Sequence, residues 1–265
     1  AGLIANLSYC GASAAIKLKF QIAVAEHLEV IPILVDLVAW MAEGQYVTRE
    51  LACDALSFLG DNNPTLQKRI LDHGAIFPIL SLIASGTPSS NYAGYRSGLQ
   101  ALWKISQLKE GATAAAKAGA IPILVKLLNE HRNMPIVANH EVLKVDTVAM
   151  AKHWNPLGTR PVPMKAEEPP PTLCKHRNNL IDAILGIFCT MLDVRRGDVL
   201  MGEANALVPL CHILELDNHG TEKHRTRAAA LVFRLALHCP PSLDVDIAIP
   251  PLIQLCKSFA EETVV

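Results

Sequence analysis

The sequence of 265 residues predicts an all-α fold, a solenoid of stacked helical repeats. Three observations carry that expectation. A ten-residue phrase recurs along the chain, a proline stands near the start of every copy, and an amphipathic pattern with helical spacing follows the phrase. The phrase is clearest as Gly119-Ala-Ile-Pro-Ile-Leu-Val-Lys-Leu-Leu128, and further copies begin at residues 29, 74, 205 and 247. The steps between starts are 45, 45, 86 and 42 residues, and 86 is twice 43, which predicts one damaged copy between 119 and 205. A period in the low forties is that of a helical solenoid.

Each phrase reads as the opening of a helix. The prolines of the copies are Pro32, Pro78, Pro122, Pro209, Pro250 and Pro251. Inside a helix they would remove a hydrogen bond, whereas in the first turn the missing N–H is no loss and the fixed φ suits entry. Gly74 and Gly119 supply the tight turn before it. The apolar residues that follow, such as Ile123, Leu124, Val125, Leu127 and Leu128, cover most sides of the helix. Such a helix must be covered by neighbours on most sides, which stacked repeats provide.

The second pattern is amphipathic. In Arg49–Gly60, Leu51, Ala55, Leu56 and Leu59 share one helical face, while Glu50, Asp54 and Phe58 share the other. It recurs at Leu99, Ala101, Leu102 and Ile105, at Ala183, Ile184 and Ile187, and at Leu231, Val232 and Leu235. A short polar or alanine-rich helix, as in Thr65–His73 and Gly111–Ala118, precedes each phrase. Each unit is thus one short helix and two longer ones.

With this unit in hand the chain resembles the armadillo-repeat family. Gly119–Leu128 is similar to that family's opening of the second helix, and Asn62-Asn-Pro-Thr65 to its turn after the third. The resemblance covers nearly the whole chain except about 129–175 and recurs in register. It implies a right-handed α-solenoid of about five three-helix repeats, with partial repeats at both ends, as one domain over 1–265. HEAT repeats are near neighbours, but they usually have two helices and lack the glycine-proline phrase.

Taken in order, residues 1–9 read as the tail of a third helix, and 13–27 as the next short helix. Repeats centred on 31–60, 76–107 and 121–154 follow, with an exposed loop at 84–91. Residues 155–172 hold Pro156, Pro161, Pro163, Pro169, Pro170 and Pro171, and read as a Pro-rich insertion or a degenerate repeat. The helix over 178–192 resumes the pattern. Solenoids normally end in polar capping repeats, and neither terminus reads as one, so the chain is expected to be a fragment of a longer protein.

Composition excludes several function classes. Apolar residues make up 51% and aromatics 5%, a mix suited to tight packing of small aliphatic helices. Formal charge is −1, so no net field favours nucleic acid or an anionic membrane. No apolar run approaches the ~18 residues of a membrane span. Seven cysteines without CxxC spacing support neither a zinc site nor a disulfide scaffold, and point to a reducing, cytoplasmic compartment. No phosphate loop, metalloprotease or nucleophile-elbow motif is present, so no enzyme activity, metal or cofactor is expected. Cys211 and His212 are adjacent on one helix and so point in different directions, which is no nucleophile–base dyad.

The armadillo resemblance implies that third helices line a concave groove holding an extended partner chain. Importin-like members carry an Asn ladder there, with Trp one turn earlier. Aligned by their apolar residues, the helices place Asn6, Phe58, Lys104, Met150, Gly186 and Arg234 at the Asn position. Gly2, Asp54, Gln100, Asp146, Asp182 and Ala230 stand one turn before, and none is Trp. The chain therefore departs from nuclear-localisation-signal binding. Partner-binding candidates are Asp54, Asp146 and Asp182 for a basic ligand, and Arg96, Lys104 and Arg234 for an acidic one, with Gln100 between them. Phe58 and Met150 are apolar on a polar face, hence either contact residues or residues packed by an insertion.

Two readings of function follow. In the first the chain is a non-catalytic protein–protein interaction scaffold that binds an extended peptide or protein segment along the groove. In the alternative it is a structural subunit of a large assembly, such as a cytoskeletal or axonemal complex, joined through convex faces and loops.

Overall fold

In the computed structural model, residues 14–27, 29–40, 46–85, 92–132, 173–215, 221–238 and 245–262 are described. They are helical throughout, with short turns and no strand among the described residues. The first unit is α1 (Ala14–Glu26), α2 (Val30–Ala39) and α3 (Tyr46–Gly60). The second is α4 (Pro64–Asp72), α5 (Ile76–Ser85) and α6 (Tyr92–Ser106), and α7 (Lys109–Lys117) and α8 (Ala120–Arg132) open the third. Then come α9 (Leu173–Leu192), α10 (Gly197–Glu203), α11 (Leu207–Leu214) and α12 (Glu222–His238). A 3-10 turn, Val245–Ala248, leads into α13 (Ile249–Glu262).

Local chemistry sets these boundaries. The Asn63 side chain accepts a hydrogen bond from the Leu66 N–H at 3.1 Å, and Pro64 occupies the first helical position of α4. The first residue of the phrase has a left-handed backbone in three units: φ is 74° at Gly74, 82° at Gly119 and 55° at Asn205. Glycine and asparagine are the residues that adopt this conformation at least strain, which explains why they open the phrase. Deeper in the phrase, Leu34, Ile79, Leu124 and Leu210 stand at one place in four successive second helices, and all four are buried.

Stacking runs in parallel rows. The third helices α3, α6, α9 and α12 pack side by side, as do the second helices α2, α5, α8, α11 and α13. Short first helices tie the ends of the third helices. Gln21 in α1 donates from Nε2 to the carbonyls of Phe58 (3.0 Å), Leu59 (3.2 Å) and Asp61 (3.1 Å). Gln67 in α4 does the same work one unit later, donating to the Gly60 carbonyl at 2.6 Å and to Gln107 Oε1 at 3.4 Å. Each glutamine meets helix-end carbonyls that have no intrahelical partner.

One placement departs from the expected register. The place beside α6 was assigned by the sequence to a third helix carrying Asp146 and Met150. It is taken by α9, which packs on α6, α7 and α8 together. Asp146, Met150 and the segment 155–172 lie outside the described residues.

Candidate functional site

The row α3–α6–α9–α12 carries the candidate residues, and its polar side chains form rungs between neighbouring units. At the end of α3, Asp61 meets Lys104 of α6 at 2.6 Å and also Lys17 of α1. Between α9 and α12, Asp182 accepts from Arg227 Nη1 at 2.7 Å and from Lys223 Nζ at 3.2 Å, with His224 Nε2 at 3.5 Å. Asp193, just after α9, accepts from Arg234 Nη2 at 2.7 Å. In each rung an acid of one unit faces a base of the next, close to one repeat period away in sequence. Three of the charges that the sequence offered to a partner, Lys104, Asp182 and Arg234, are in this way paired with residues of neighbouring units.

Earlier along the same two helices, Glu50 and Asp54 stand on α3, with Arg96 of α6 close enough to act on the Glu50 carboxyl. Asp54 is only 5% exposed. Burial pushes the Glu50 carboxyl up to about 7, the negative charge of Asp54 adds to the rise, and Arg96 opposes it. The neighbouring Arg49 is buried and donates from Nε to the Val38 carbonyl at 2.8 Å, closing the end of α2.

For Phe58 the sequence left two alternatives, contact residue or packed residue, and packing describes it. Its ring is 7% exposed and meets Phe20 of α1 edge-on, with centroids 6.1 Å apart and planes at 64°. The Lys17 ammonium lies 5.4 Å from the same centroid. The covering element is α1, the short helix of the same unit, and no insertion is involved. Arg96, Gln100, Lys104, Asp182 and Arg234 remain partly exposed. Lys104 is held below the ordinary lysine range by burial.

A residue that sequence reasoning missed is Trp103. It is half-buried on α6, with the Lys104 ammonium 5.1 Å from its ring centroid, and its indole lies over Gly186 of α9. A search for Trp one turn before the Asn position overlooks it, because it stands one residue before. The available signal was the change of type at one aligned place, from Ser57 through Trp103 to Leu185 and Phe233.

No group of three or more His, Cys, Asp or Glu among the described residues could hold a metal ion. Burial holds the Cys211 thiol up at about 11, with Glu215 adding to the rise. The adjacent His212 turns its Nδ1 to Glu215 at 3.1 Å. No single described helix is long and apolar enough to cross a membrane.

Three-helix units, the phrase at the entry of each second helix and the row of third helices define an armadillo-type repeat solenoid. Solved structures bear this out. The chain is similar to the designed armadillo repeat protein YIII(Dq)4CqI, with a TM-score of 0.56 and 15% identity over 95% of this chain and 91% of that one. It is similar to the designed armadillo repeat protein YIII(Dq.V1)4CPAF, solved in complex with the peptide (KR)4, with a TM-score of 0.51 and 14% identity over 95% and 91%. It is also similar to ARO, the armadillo repeats only protein from Plasmodium falciparum, with a TM-score of 0.55 and 16% identity over 88% and 78%. At such identities the likeness is one of fold. No protein-family model and no curated protein sequence matches the chain.

Proposed function

We propose that this chain is a non-catalytic interaction scaffold that binds an extended peptide or protein segment along the surface lined by its third helices. The observation that carries this reading is the unbroken row α3–α6–α9–α12, along which Arg96, Gln100, Lys104, Asp182 and Arg234 keep polar atoms within reach of solvent. A row of this kind recognises an extended strand by many modest contacts spaced at the repeat distance. The solved complex of a designed armadillo protein with (KR)4 supports the mode of binding and says nothing of this chain's own ligand. The internal rungs bear on ligand class: Asp182 is already shared among three bases, and Asp54 is buried. Purely basic peptides therefore meet little free acceptor here, and since Lys104 and Arg234 are themselves paired with Asp61 and Asp193, segments of mixed polarity fit better than those of either single sign.

Within this reading the domain is a single solenoid. The Pro-rich segment 155–172 is read as an insertion or a degenerate repeat within it, and α9 takes the third-helix place beside α6 that follows α8. A reducing, cytoplasmic compartment suits the buried thiols of Cys53 and Cys211.

The test is fluorescence anisotropy of the 265-residue chain with labelled (KR)4 and with an acidic counterpart, (DE)4. Saturable binding of either peptide, weakened by Gln100→Ala, supports the reading. Failure of both peptides, together with cross-links to native partners that avoid Lys104, overturns it.

A second reading has its own observation. Phe77 is 74% exposed in the first turn of α5, at the place where α2 and α8 carry Pro32 and Pro122. Exposed Ile33 on α2, together with Phe77, favours a subunit fixed in a large assembly through its second helices. Partner cross-links clustered on those helices would select it.

A further inference from the structure

The first turn of α12 is closed by a histidine. Thr221 directly precedes the helix, and its Oγ1 accepts from the His224 N–H at 3.4 Å. In return the Thr221 N–H donates to His224 Nδ1 at 3.3 Å. This reciprocal pair is a capping box, whose third helical position is ordinarily glutamate or glutamine. In Thr221-Glu-Lys-His224 that position holds an imidazole, and its side chain is only 1% exposed.

The two ring nitrogens have different tasks. Nδ1 accepts and so carries no proton, which puts the proton of the neutral ring on Nε2. Nε2 faces Oδ1 of Asp182 on α9, the carboxylate that Lys223 and Arg227 also reach from the first two turns of α12. One side chain therefore closes the start of α12 and touches the acid that ties this helix to α9. The charged groups acting on the ring are Asp182 of α9 and, on α12 itself, Lys223 and Arg227. The titratable residues of α10 and α11, the other helices packed on α12, are Asp198, Glu203, Cys211 and His212, and none is among them.

We propose that His224 is a pH-sensitive latch: neutral, it caps α12 beside the contact with α9, and protonated, it releases the cap and loosens the first turn of α12. The geometry carries this. A glutamine at the third position accepts at any pH, whereas an imidazole accepts only while Nδ1 is bare. A second proton sets an N–H on Nδ1 against the Thr221 N–H, donor against donor, so the reciprocal bond is lost. Lys223 and Arg227 reach Asp182 from the turns that the cap holds, and the contact between units loosens with it. Burial lowers the imidazole pKa, Asp182 opposes that lowering, and Lys223 and Arg227 add to it. The latch is therefore closed at neutral pH and opens below the ordinary histidine value of about 6.5. In linkage terms the cap's contribution is complete above that value and is lost as pH falls through the depressed folded pKa.

The test is residue-resolved amide exchange by NMR on the 265-residue chain, compared between about pH 8 and about pH 5 and corrected for intrinsic rates. Protection in the first turn of α12, taken relative to the middle of α9, should fall by about fivefold or more on acidification, the ratio expected for an ordinary cap. His224→Gln supplies an acceptor that does not titrate, and its first turn should keep the same protection at both pH values. Nitrogen chemical shifts of the parent ring give an answer that needs no variant: near pH 8 they should report a proton on Nε2 alone. A proton on Nδ1 at that pH overturns the proposal. So does parent protection that stays level across the range, or a His224→Gln chain whose first turn loosens with acid as the parent's does.

Discussion

The indole of Trp103 lies over Gly186, so close that a Cβ at 186 would fall 2.5 Å from Nε1. The two residues belong to neighbouring third helices, α6 and α9, although residues 133–172 lie between those helices in sequence. Next to Trp103, Lys104 reaches back to Asp61 at the end of α3. One stretch of α6 therefore ties the unit before it by charge and the helix after it by ring packing.

Replacing Gly186 tests the forward contact. Gly186→Val must displace the indole, and overpacking of this kind costs about 1–3 kcal/mol. Urea unfolding should show that loss, and tryptophan emission should shift to the red as Trp103 is pushed into water. An unchanged midpoint and spectrum would show that the contact is slack.

Removing Asp61 tests the backward contact. Asp61→Asn leaves the ammoniums of Lys17 and Lys104 half-buried without their carboxylate, a loss of about 1–3 kcal/mol. Adding Lys104→Met should recover part of it, since a buried charge without its partner is the larger penalty. A double mutant as unstable as the sum of both single changes would rule out the pairing.

Glu50 makes stability depend on pH. Its carboxyl titrates near 7 in the fold against the ordinary carboxylate value when unfolded, so between those limits the folded protein holds the extra proton. Stability from this group is highest below the unfolded pKa and falls as pH rises toward 7, after which it levels. Glu50→Gln should flatten that slope and raise Tm at pH 8 by roughly 2–4 °C, the shift produced by about 1 kcal/mol in a chain of this size. Equal Tm changes at pH 5 and pH 8 would refute the burial of this carboxyl.

The Asp182 carboxylate faces the buried imidazole of His224, with Nε2 3.5 Å from Oδ1. Burial lowers the imidazole pKa, and the Asp182 carboxylate opposes that lowering. In Asp182→Asn the opposing charge is gone, so His224 should titrate at lower pH than in the parent, as read by NMR. An unshifted titration would separate the two residues. Because the folded pKa is depressed, the variant should lose stability more steeply on acidification.

Much of the fold was legible in the sequence because its cause is local and periodic. A proline tolerated only in a first helical turn, a glycine or asparagine able to take positive φ, and aliphatic residues at spacings of three and four wrote the phrase, the helix and its buried face at once. Repetition turned those local rules into an architecture, since each unit covers the same places of its neighbour.

Contacts between units were not legible in the same way. That α9 sits beside α6, with Gly186 under Trp103, is set by its packing on α6, α7 and α8 together, and a step of 86 by itself reads equally well as two repeats. The burial of Phe58 came from Phe20 and Lys17 on another helix, and the pairing of Asp182 with Arg227 from the closeness of α9 and α12. Periodicity in one chain tells which side of a helix is polar. Whether a polar side chain there faces a ligand, a neighbouring unit or the underside of another helix depends on distances in space, and only the tertiary structure decided those.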